Sequence, residues 1–394
     1  MRLGGIDPSF PIPKIGALSV KLQAPFSGTI IPYMADITQQ IEEIKEEIRK
    51  TPHHKGTEHY IGKLRARISR LRDKQIEIGV QLRQGSAGQG EGYAVKKHGD
   101  ATVTLVGPPS VGKSTLINNL TNTQSKVAEY AFTTLTVIPG MLNYKDAYIQ
   151  IFDIPGIIAG AKEGKGKGRK VLSVARNSDL LLIMCDPDTI DSFEQIVADL
   201  EGAGIRINSA KPEVHIDKKP SGGIIIHSNI RQELSPETIE EIAKEMGIKN
   251  ADITIKEKVT MNSLIDSFST SRVYTPTIFV INKVDTLPKN YQFKANILPI
   301  SAEKKEGLDK LKEEIWKKLE LIRVYLVRPD EEPSYNNPIV VKKNQTLKEV
   351  AEKIGEEFAD NKKAAKIWGD KARFPGQEVS LSAPVSDEMQ IRFI

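Results

Sequence analysis

The residues that most directly suggest chemistry form a glycine-rich run between positions 107 and 114. Its sequence, Gly107-Pro-Pro-Ser-Val-Gly-Lys-Ser114, matches the pattern G-x-x-x-x-G-K-[ST]. Glycines let backbone N–H groups curl around phosphate oxygens, and the positive end of the following helix points at the same anion. Lys113 would neutralise charge on the β- and γ-phosphates, and the Ser114 hydroxyl would bind Mg²⁺. The predicted phosphate-site residues are Gly107, Pro108, Pro109, Ser110, Val111, Gly112, Lys113, Ser114 and Thr115.

A second phosphate-side element is predicted one β-hairpin further along the chain. Asp153-Ile-Pro-Gly156 follows a predicted strand over 147–152. The order D-x-x-G is common by itself and becomes informative because it follows the phosphate loop. Asp153 would hold the Mg²⁺ shell through a water molecule, and Gly156 would offer its N–H to the γ-phosphate. Ile154 and Pro155 complete this element.

Two later loops are predicted to read the base of a nucleotide. Asn282-Lys-Val-Asp285 follows an apolar strand over 277–281, and Ser301-Ala302 follows another over 297–300. The Asp285 carboxylate would accept hydrogen bonds from guanine N1–H and N2–H, which adenine does not offer in that geometry. The sequence therefore predicts GTP and GDP as ligands and disfavours ATP. The predicted base-site residues are Asn282, Lys283, Asp285, Ser301 and Ala302.

The segment Tyr130-Ala-Phe-Thr-Thr-Leu135 has the composition of a switch, because a threonine there could close over Mg²⁺ when the γ-phosphate is present. Many GTPases orient the attacking water with a glutamine directly after D-x-x-G. Here that position is Ile157, so slow intrinsic turnover is expected. A monovalent cation, a mobile side chain or a partner would supply the missing group. Basic side chains near this point could act in cis, contact RNA or simply be solvated; they are Lys162, Lys165, Lys167, Arg169 and Lys170.

These loops need a sheet to position them. A strand over 101–106 runs into the phosphate loop, and a helix over 114–120 runs out of it. The helix predicted over 193–200 should return quickly to a strand, yet roughly seventy residues precede the strand at 277, so something is inserted. The predicted fold is α/β: a P-loop domain with a mostly parallel sheet and helices on both faces.

The N-terminal part reads as an extension followed by a helical hairpin. Five prolines before residue 34 oppose a helix over 1–33, although a short β piece at 17–22 remains open. From residue 34, apolar stripes predict two antiparallel helices that end near residue 84. The stripes are Ile41, Ile44 and Ile48, then Tyr60, Ile61, Leu64, Ile68 and Leu71. A glycine-rich linker is predicted over 85–99.

The second hairpin helix is strongly basic. Its cations either meet RNA phosphates or form a merely solvated face, and the residues alone favour neither. They are Lys63, Arg65, Arg67, Arg70, Arg72 and Lys74. Nearby, His53, His54 and His59 lack the cysteines or carboxylates of a metal site, so we interpret them as solvated loop residues.

The C-terminal part predicts a separate small domain. Thr346-Leu-Lys-Glu349 is a capping box that starts a helix with an apolar face. Strands are predicted near 339–341, 365–368, 378–381 and 390–394. Strand, helix and further strands in this order indicate a β-grasp module.

Composition limits the functional classes. The chain has 394 residues, 39% hydrophobic and 27% charged, with a net charge of +5. It lacks an apolar run long enough to cross a bilayer, which argues against a membrane protein. The single cysteine, Cys185, excludes a disulfide within the chain and fits a cytoplasmic location. Its apolar neighbours predict a buried residue rather than a nucleophile.

Three longer phrases resemble the Obg superfamily of GTPases, most closely its developmentally regulated GTP-binding protein (DRG) group. They are Ala128-Glu-Tyr-Ala-Phe-Thr-Thr-Leu135, Asp153-Ile-Pro-Gly-Ile-Ile-Ala-Gly-Ala161 and Gly164-Lys-Gly-Lys-Gly-Arg169. The resemblance covers nearly everything from residue 34 to residue 394. It implies a helical hairpin at 34–84, a G domain at 100–201 and 274–321, an α+β insertion at 202–273, and a TGS domain at 322–394. The insertion would resemble domain two of a ribosomal small-subunit protein.

The resemblance also implies roles for residues. Phe132, Thr133 and Thr134 would lie in the first switch loop, with Thr134 joining Ser114 as a magnesium ligand and Asp153 acting through water. Catalytic roles would fall to Lys113, Thr134 and Gly156. Ser110 stands where potassium-dependent relatives usually have asparagine, so potassium stimulation is an open alternative.

Partners follow from the same resemblance. It implies a translation-associated switch that meets the ribosome or ribosomal RNA, leaves room for a stabilising partner protein, and suggests neither membrane nor DNA. The alternative is an RNA- or ribosome-binding scaffold that uses GTP mainly as a structural ligand.

Overall fold

The computed structural model describes residues 27–84, 99–121, 138–153, 172, 174–288, 291, 293 and 296–394. Helices in these residues are α1 (Ser27–Lys50), α2 (Glu58–Gln84), α3 (Lys113–Leu120), α4 (Ser192–Gly202), α5 (Pro236–Glu245), α6 (Met261–Phe268), α7 (Leu308–Lys318), α8 (Leu347–Ile354) and α9 (Glu356–Asp360). Strands are β1 (Ala101–Val106), β2 (Ile138–Tyr144), β3 (Ala147–Asp153), β4 (Leu180–Cys185), β5 (Ile205–Ile207), β6 (Val214–Lys218), β7 (Ile224–Ser228), β8 (Ala251–Ile255), β9 (Val273–Thr275), β10 (Thr277–Ile281), β11 (Ile297–Pro299), β12 (Leu321–Leu326), β13 (Pro338–Lys342), β14 (Ala364–Trp368), β15 (Gln377–Ser380) and β16 (Met389–Phe393).

The central sheet has the strand order β11-β10-β4-β1-β3-β2. Every neighbouring pair is parallel except β2 and β3, which form an antiparallel hairpin. Strand β4 is buried along its whole length, as expected for a parallel strand that is covered on both faces. The predicted α/β class with a mostly parallel sheet is therefore confirmed.

Helices cover both faces of this sheet. Side chains alternate between the two faces along each strand, and the apolar side chains on each face pack against helices. Leu105 and Leu182 pack with residues of α3 and α7 in one apolar core. Leu181 and Ile183 pack with residues of α4 in another. Cys185 lies in this second core, and burial raises the pKa of its thiol to about 12. The cysteine is a buried, protonated residue at neutral pH, as the sequence predicts.

The C-terminal sheet has the order β13-β12-β16-β14-β15, in which β12 and β16 are parallel neighbours. The predicted capping box is present at the start of α8, where Thr346 accepts from the backbone N–H of Glu349. This is the β-grasp arrangement that the sequence predicts. Leu321 and Val340 of its first two strands extend the core of the central sheet, so the two domains share apolar packing.

An α+β unit interrupts the central domain where the sequence predicts an insertion. Strands β5 and β9 pair in parallel and form a narrow neck. Between them the chain builds a three-stranded sheet, ordered β6-β8-β7, whose apolar side chains pack with α5 and α6. The neck brings the chain back to β10 without a break in the central sheet.

The helical hairpin is present, but one of its predicted boundaries is wrong. Helix α1 begins at Ser27 rather than at residue 34, so residues 27–33 are helical and Pro32 lies inside the helix. A single proline removes one backbone donor, whereas burial of Ile37 and Ile41 further along stabilises the whole helix. Residues 1–26, and residues 85–98 of the linker predicted over 85–99, lie outside the described residues.

Helix α2 is buried on two sides. Leu64 and Ile68 pack against α1. On another side Gly62 and Ala66 face the insertion: Ala66 belongs to its core, and a Cβ atom on Gly62 would lie 3.2 Å from Ile242 of α5. Small residues at this spacing let two helices approach closely. The hairpin and the insertion therefore form one packed unit, which the sequence does not predict.

A buried ion-pair network fixes the neck to this unit. The Arg272 side chain is 4% exposed, with Nε 2.7 Å from Asp266 Oδ1 and Nη1 3.0 Å from Asp73 Oδ1. Arg206 of β5 donates to both oxygens of Asp266, at 2.5 and 2.7 Å. Arg272 therefore joins α2 of the hairpin, α6 of the insertion and the neck.

Replacing Arg272 with methionine should destabilise the protein by about 3–5 kcal/mol, because Asp73 would lose its buried cation. Lys244→Met is the matched control, since its ion pair with Glu240 is on the exposed surface of α5 and should be worth at most about 0.5 kcal/mol. Urea unfolding followed by circular dichroism measures both. Equal losses in the two variants would show that the network does not stabilise the fold.

Candidate nucleotide site

The phosphate loop joins β1 to α3 at the carboxyl edge of the central sheet. A Cβ atom on Gly107 would lie 2.1 Å from the Met184 carbonyl oxygen, and one on Gly112 would lie 2.4 Å from Asn282 Nδ2. Gly112 also has a φ of 93°, and Ser110 has a φ of 64°. The backbone therefore turns tightly between strand and helix, as a loop that presents successive N–H groups to an anion must.

Lys113 is buried within this loop. Its Nζ donates to the carbonyl oxygens of Gly107 and Pro108, at 3.1 and 2.7 Å. Burial lowers the pKa of Lys113, and the negative charge of Asp153 opposes that shift. The ammonium group is held over the loop, where phosphate oxygens could replace its carbonyl partners.

Ser114 and Asp153 meet beside this lysine. Ser114 Oγ donates to Asp153 Oδ2 at 3.1 Å. The other carboxylate oxygen, Asp153 Oδ1, is buried and has no hydrogen-bond partner. A buried carboxylate oxygen without a partner is costly, and a hydrated divalent cation would satisfy it. The donor set, a hydroxyl and a carboxylate, is the oxygen chemistry that Mg²⁺ prefers.

Asn282 connects the phosphate side to the base side. It is 3% exposed, its Nδ2 donates to the Val111 carbonyl at 2.8 Å, and its Oδ1 accepts from the Ala302 N–H at 2.8 Å. Both ends of the amide are thus used within the protein. The contacts place the phosphate loop and the 301–302 loop at a fixed separation.

Lys283 crosses from the base side to the phosphate loop. Its backbone has a φ of 59°, and its Nζ donates to the Ser110 carbonyl at 2.9 Å and to Asp186 Oδ2 at 2.7 Å. Burial acts to raise the pKa of Asp186, but hydrogen bonds from Lys283 and Thr189 outweigh it and hold the pKa below its usual value. The ion pair fixes the lysine stem across the site.

Asp285 lies in the turn that follows β10, with its side chain partly exposed. A hydrogen bond from Ser301 lowers the pKa of this carboxyl group, and Lys304 adds to the effect with its Nζ 3.3 Å away. The carboxylate is therefore ionised, as an acceptor of two guanine N–H groups must be. Asn119 of α3 donates to the Ala302 carbonyl at 2.8 Å and so ties the same loop to the phosphate-side helix.

The structure brings together most of the residues that the sequence singles out. The phosphate loop, Ser114, Asp153 and both base-side loops converge on one edge of the sheet, and Thr115 lies exposed on α3. The remaining candidates lie outside the described residues: Phe132, Thr133, Thr134, Ile154, Pro155 and Gly156.

Sequence reasoning missed Asp186 and Asn119. Asp186 directly follows β4 at the same carboxyl edge as the phosphate loop, so its position could have identified it. Asn119 lies inside α3 and carries no such signal. Within the described residues no group of three His, Cys, Asp or Glu side chains is placed to hold a metal, and His53, His54 and His59 are exposed. None of the described helices has the length and apolarity to cross a membrane.

Three family models match the chain. Residues 102–216 match the model of a "50S ribosome-binding GTPase", residues 221–321 match the C-terminal region of the same domain, and residues 322–394 match the TGS domain. Among solved structures, Era from Aquifex aeolicus bound to GDP.AlF4- is 22% identical, with 69% of this chain and 73% of that chain covered and a TM-score of 0.28.

Full-length relatives are more informative. A GTP-binding protein of Methanocaldococcus jannaschii is 41% identical, covering 91% of this chain and 93% of its own length. Developmentally-regulated GTP-binding protein 1 of Xenopus laevis is 39% identical, with 92% of this chain and 100% of the relative covered. Developmentally-regulated G-protein 3 of Arabidopsis thaliana is 38% identical, with 92% and 99% covered. With its P-loop domain, its C-terminal TGS domain and identity of this extent, the chain belongs to the developmentally regulated GTP-binding proteins, within the Obg-type GTPases.

Proposed function

We propose that this protein hydrolyses GTP to GDP and phosphate with Mg²⁺, slowly by itself, and uses the two nucleotide states to change its contacts with the ribosome. The observation that carries the proposal is the convergence on one sheet edge of a buried lysine, a serine–aspartate pair with an orphaned carboxylate oxygen, and an ionised base-side aspartate. Bound Mg²⁺ would neutralise charge on the β- and γ-phosphates.

The side chains of this site bind and orient rather than react covalently. Lys113 would stabilise negative charge as the bond to the γ-phosphate breaks, and Ser114 and Asp153 would hold the Mg²⁺ ion, Asp153 through water. Asp285 selects guanine at the far end, while Asn282 keeps both ends at a fixed distance. Binding energy gained at the base thus positions the phosphates for in-line attack by water.

A contact of Arg176 supports a switch. Arg176 lies in the segment between D-x-x-G and β4, and it donates to the backbone carbonyls of Ala203 and Ser271, the former at 2.8 Å. Those carbonyls flank the neck, whose Arg272 is ion-paired to the hairpin and the insertion. Arg176 therefore connects the end of this segment to the neck, and through Arg272 to the hairpin and the insertion.

The description of the family model supports the ribosome as partner. A second candidate function rests on Ile157, which occupies the position where many GTPases carry the water-orienting glutamine. In that alternative the protein is an RNA- or ribosome-binding scaffold for which GTP is a structural ligand. Potassium and a stabilising partner protein are further candidates for the missing catalytic contribution.

Turnover separates the two functions. We expect slow multiple-turnover GTP hydrolysis in sodium and at least about tenfold faster hydrolysis when ribosomes, potassium or both are added, because they would supply the group that Ile157 lacks. Phosphate release at fixed Mg²⁺ measures this in four parallel conditions. Tight GTP binding without turnover in all four would favour the scaffold.

Asp285→Asn should weaken GTP binding by about a hundredfold or more, because an amide cannot accept from both guanine N–H groups. Xanthosine triphosphate, whose 2-oxo group accepts a hydrogen bond, should bind the variant better than GTP does. Asp188→Asn is the matched control, since Asp188 is exposed near the same sheet edge. Calorimetry with both nucleotides measures the affinities, and unchanged GTP affinity in Asp285→Asn would exclude this role.

Ser114→Ala should reduce the gain in GTP affinity that Mg²⁺ provides by about tenfold or more, because one oxygen ligand is lost. Thr115→Val removes a hydroxyl one residue further along α3 and should keep the full gain. Titration calorimetry with and without Mg²⁺ gives the ratio for each variant. A full Mg²⁺ effect in Ser114→Ala would place the ion elsewhere.

A further inference from the structure

The outward side of α2 carries one row of positive side chains. Lys63, Arg67, Arg70 and Lys74 are all exposed, and spacings of four, three and four residues put them on one helix face. We name these four residues the basic row. At 1.5 Å per residue the row is about 16 Å long. Arg70 Nη1 also donates to the Glu245 carbonyl at 3.1 Å, which steadies one of the four guanidinium and ammonium groups.

The other two basic residues of the helix lie on a different side. Arg65 Nη1 donates to Asn262 Oδ1 of α6 at 3.4 Å. Burial lowers the pKa of Arg72, and the nearby charge of Arg272 adds to the effect. Helical spacing puts Arg65 and Arg72 roughly opposite the basic row. The structure thus divides a helix that the sequence describes only as basic into an outward row and an inward pair.

The basic row is held rigidly. Within residues 63–74 the one acidic residue, Asp73, is buried and paired with Arg272, and the exposed Glu77 follows on the same face one turn after Lys74 and ends the row. Both flanks of the helix are buried, against α1 and against the insertion.

Residues 58–84 contain seven Lys and Arg but three Asp and Glu, whereas residues 202–273 contain ten of each and residues 322–394 twelve of each. Helix α2 therefore carries a net positive charge that the insertion and the C-terminal domain do not. The exposed side of α1 carries Glu42, Glu43, Glu46 and Glu47. Glu42 is paired with Lys45 and Glu46 with Arg49, and residues 36–50 keep a net negative charge, with five Asp and Glu against three Lys and Arg.

We propose that the basic row binds the phosphate backbone of double-helical RNA; the inference rests on the proposed ribosome-associated function and names the surface that serves it. Protein partners are usually anchored by apolar or aromatic side chains, and single-stranded RNA by stacked aromatics. The exposed side chains within residues 63–74 are all cationic, and none is aromatic. The nearest exposed aromatic residue on α2 is Tyr60, one turn earlier, whose hydroxyl donates to Glu47 of α1. Regularly spaced cations on a rigid helix suit the regular phosphates of a duplex.

The acidic side of α1 gives the contact a direction. Phosphates are repelled from the α1 flank and attracted to the α2 flank, so an RNA helix would lie along α2 with α1 turned away. Arg72 and Arg65 cannot substitute for the row, because they lie on the far side of the same helix. The hairpin would therefore meet RNA in one orientation rather than by general attraction.

The test is RNA binding by the full chain carrying Lys63→Gln, Arg67→Gln and Lys74→Gln together, which leaves Arg70 bound to Glu245. The matched control is Lys310→Gln, Lys317→Gln and Lys318→Gln on α7, which removes the same charge from exposed positions. Arg65→Gln tests the inward side of α2. The probe is a fluorescently labelled RNA hairpin, with single-stranded RNA and polyglutamate in parallel, measured by anisotropy over a series of salt concentrations.

We expect the row variant to bind the RNA hairpin at least tenfold more weakly and to lower the slope of log affinity against log salt by about two to three. The α7 and Arg65 variants should change affinity by less than about twofold. Equal binding by the row variant and the α7 control overturns the proposal, as does tighter binding of polyglutamate or single-stranded RNA than of the hairpin. Circular dichroism checks that each variant folds.

GTP turnover without RNA, measured on the same variants, keeps the two proposals distinct. None of the substituted residues lies at the nucleotide site, so turnover should match that of the unmodified chain. Absence of turnover in every protein would count against the proposed GTPase function, while the anisotropy result would still decide the role of the basic row.

Discussion

The nucleotide site depends on one buried amide. Asn282 donates to the Val111 carbonyl and accepts from the Ala302 N–H, both at 2.8 Å, so it fixes the separation of the two loops that would hold opposite ends of a nucleotide. Its position also explains a glycine: a side chain at residue 112 would strike Asn282 Nδ2. Each partner left without this amide would be a buried polar group lacking a hydrogen bond, at a cost of about 1–3 kcal/mol. The described part of the site is therefore held together by the protein's own hydrogen bonds.

A second constraint connects this site to the outer units. Arg272 is almost fully buried between Asp73 of the hairpin and Asp266 of the insertion, and Arg176 bonds to the backbone on both sides of the neck. Buried ion pairs do not stretch gradually, because a partly broken pair leaves a desolvated charge. The hairpin and the insertion would therefore move together with the neck, as one body.

Local patterns predicted local structure well, and long-range contacts escaped them. Several features follow from the spacing and polarity of residues that are close in the sequence. They are the bounds of β1 and β10, the capping box at Thr346 and the burial of Cys185. The start of α1 does not, because burial further along the helix outweighs the cost of Pro32. The Arg272–Asp73 pair joins residues almost two hundred positions apart. The small residues Gly62 and Ala66 of α2 are explained only by the packing of α5 against that side of the helix. Within the site, the sequence patterns predicted the loops. The contact of Asn119 with Ala302, and the two contacts by which Asn282 joins the loops, became visible only in the folded structure.

The C-terminal domain is attached to the central domain at a different place from the hairpin and the insertion, and this difference bears on function. The C-terminal domain is attached at the opposite end of β1 from the phosphate loop: Lys353 Nζ is 2.5 Å from Asp100 Oδ1, and Lys342 Nζ is 3.0 Å from Asp179 Oδ1. Asp179 also accepts from the Thr102 hydroxyl at 2.8 Å, and Leu321 and Val340 continue the central core. None of these contacts involves the edge of the sheet that carries the candidate nucleotide site. They therefore give the C-terminal domain no direct connection to the γ-phosphate. The hairpin and insertion are attached through the neck, beside the segment that follows D-x-x-G. A change of nucleotide that moves the neck would therefore move the basic row relative to the C-terminal domain.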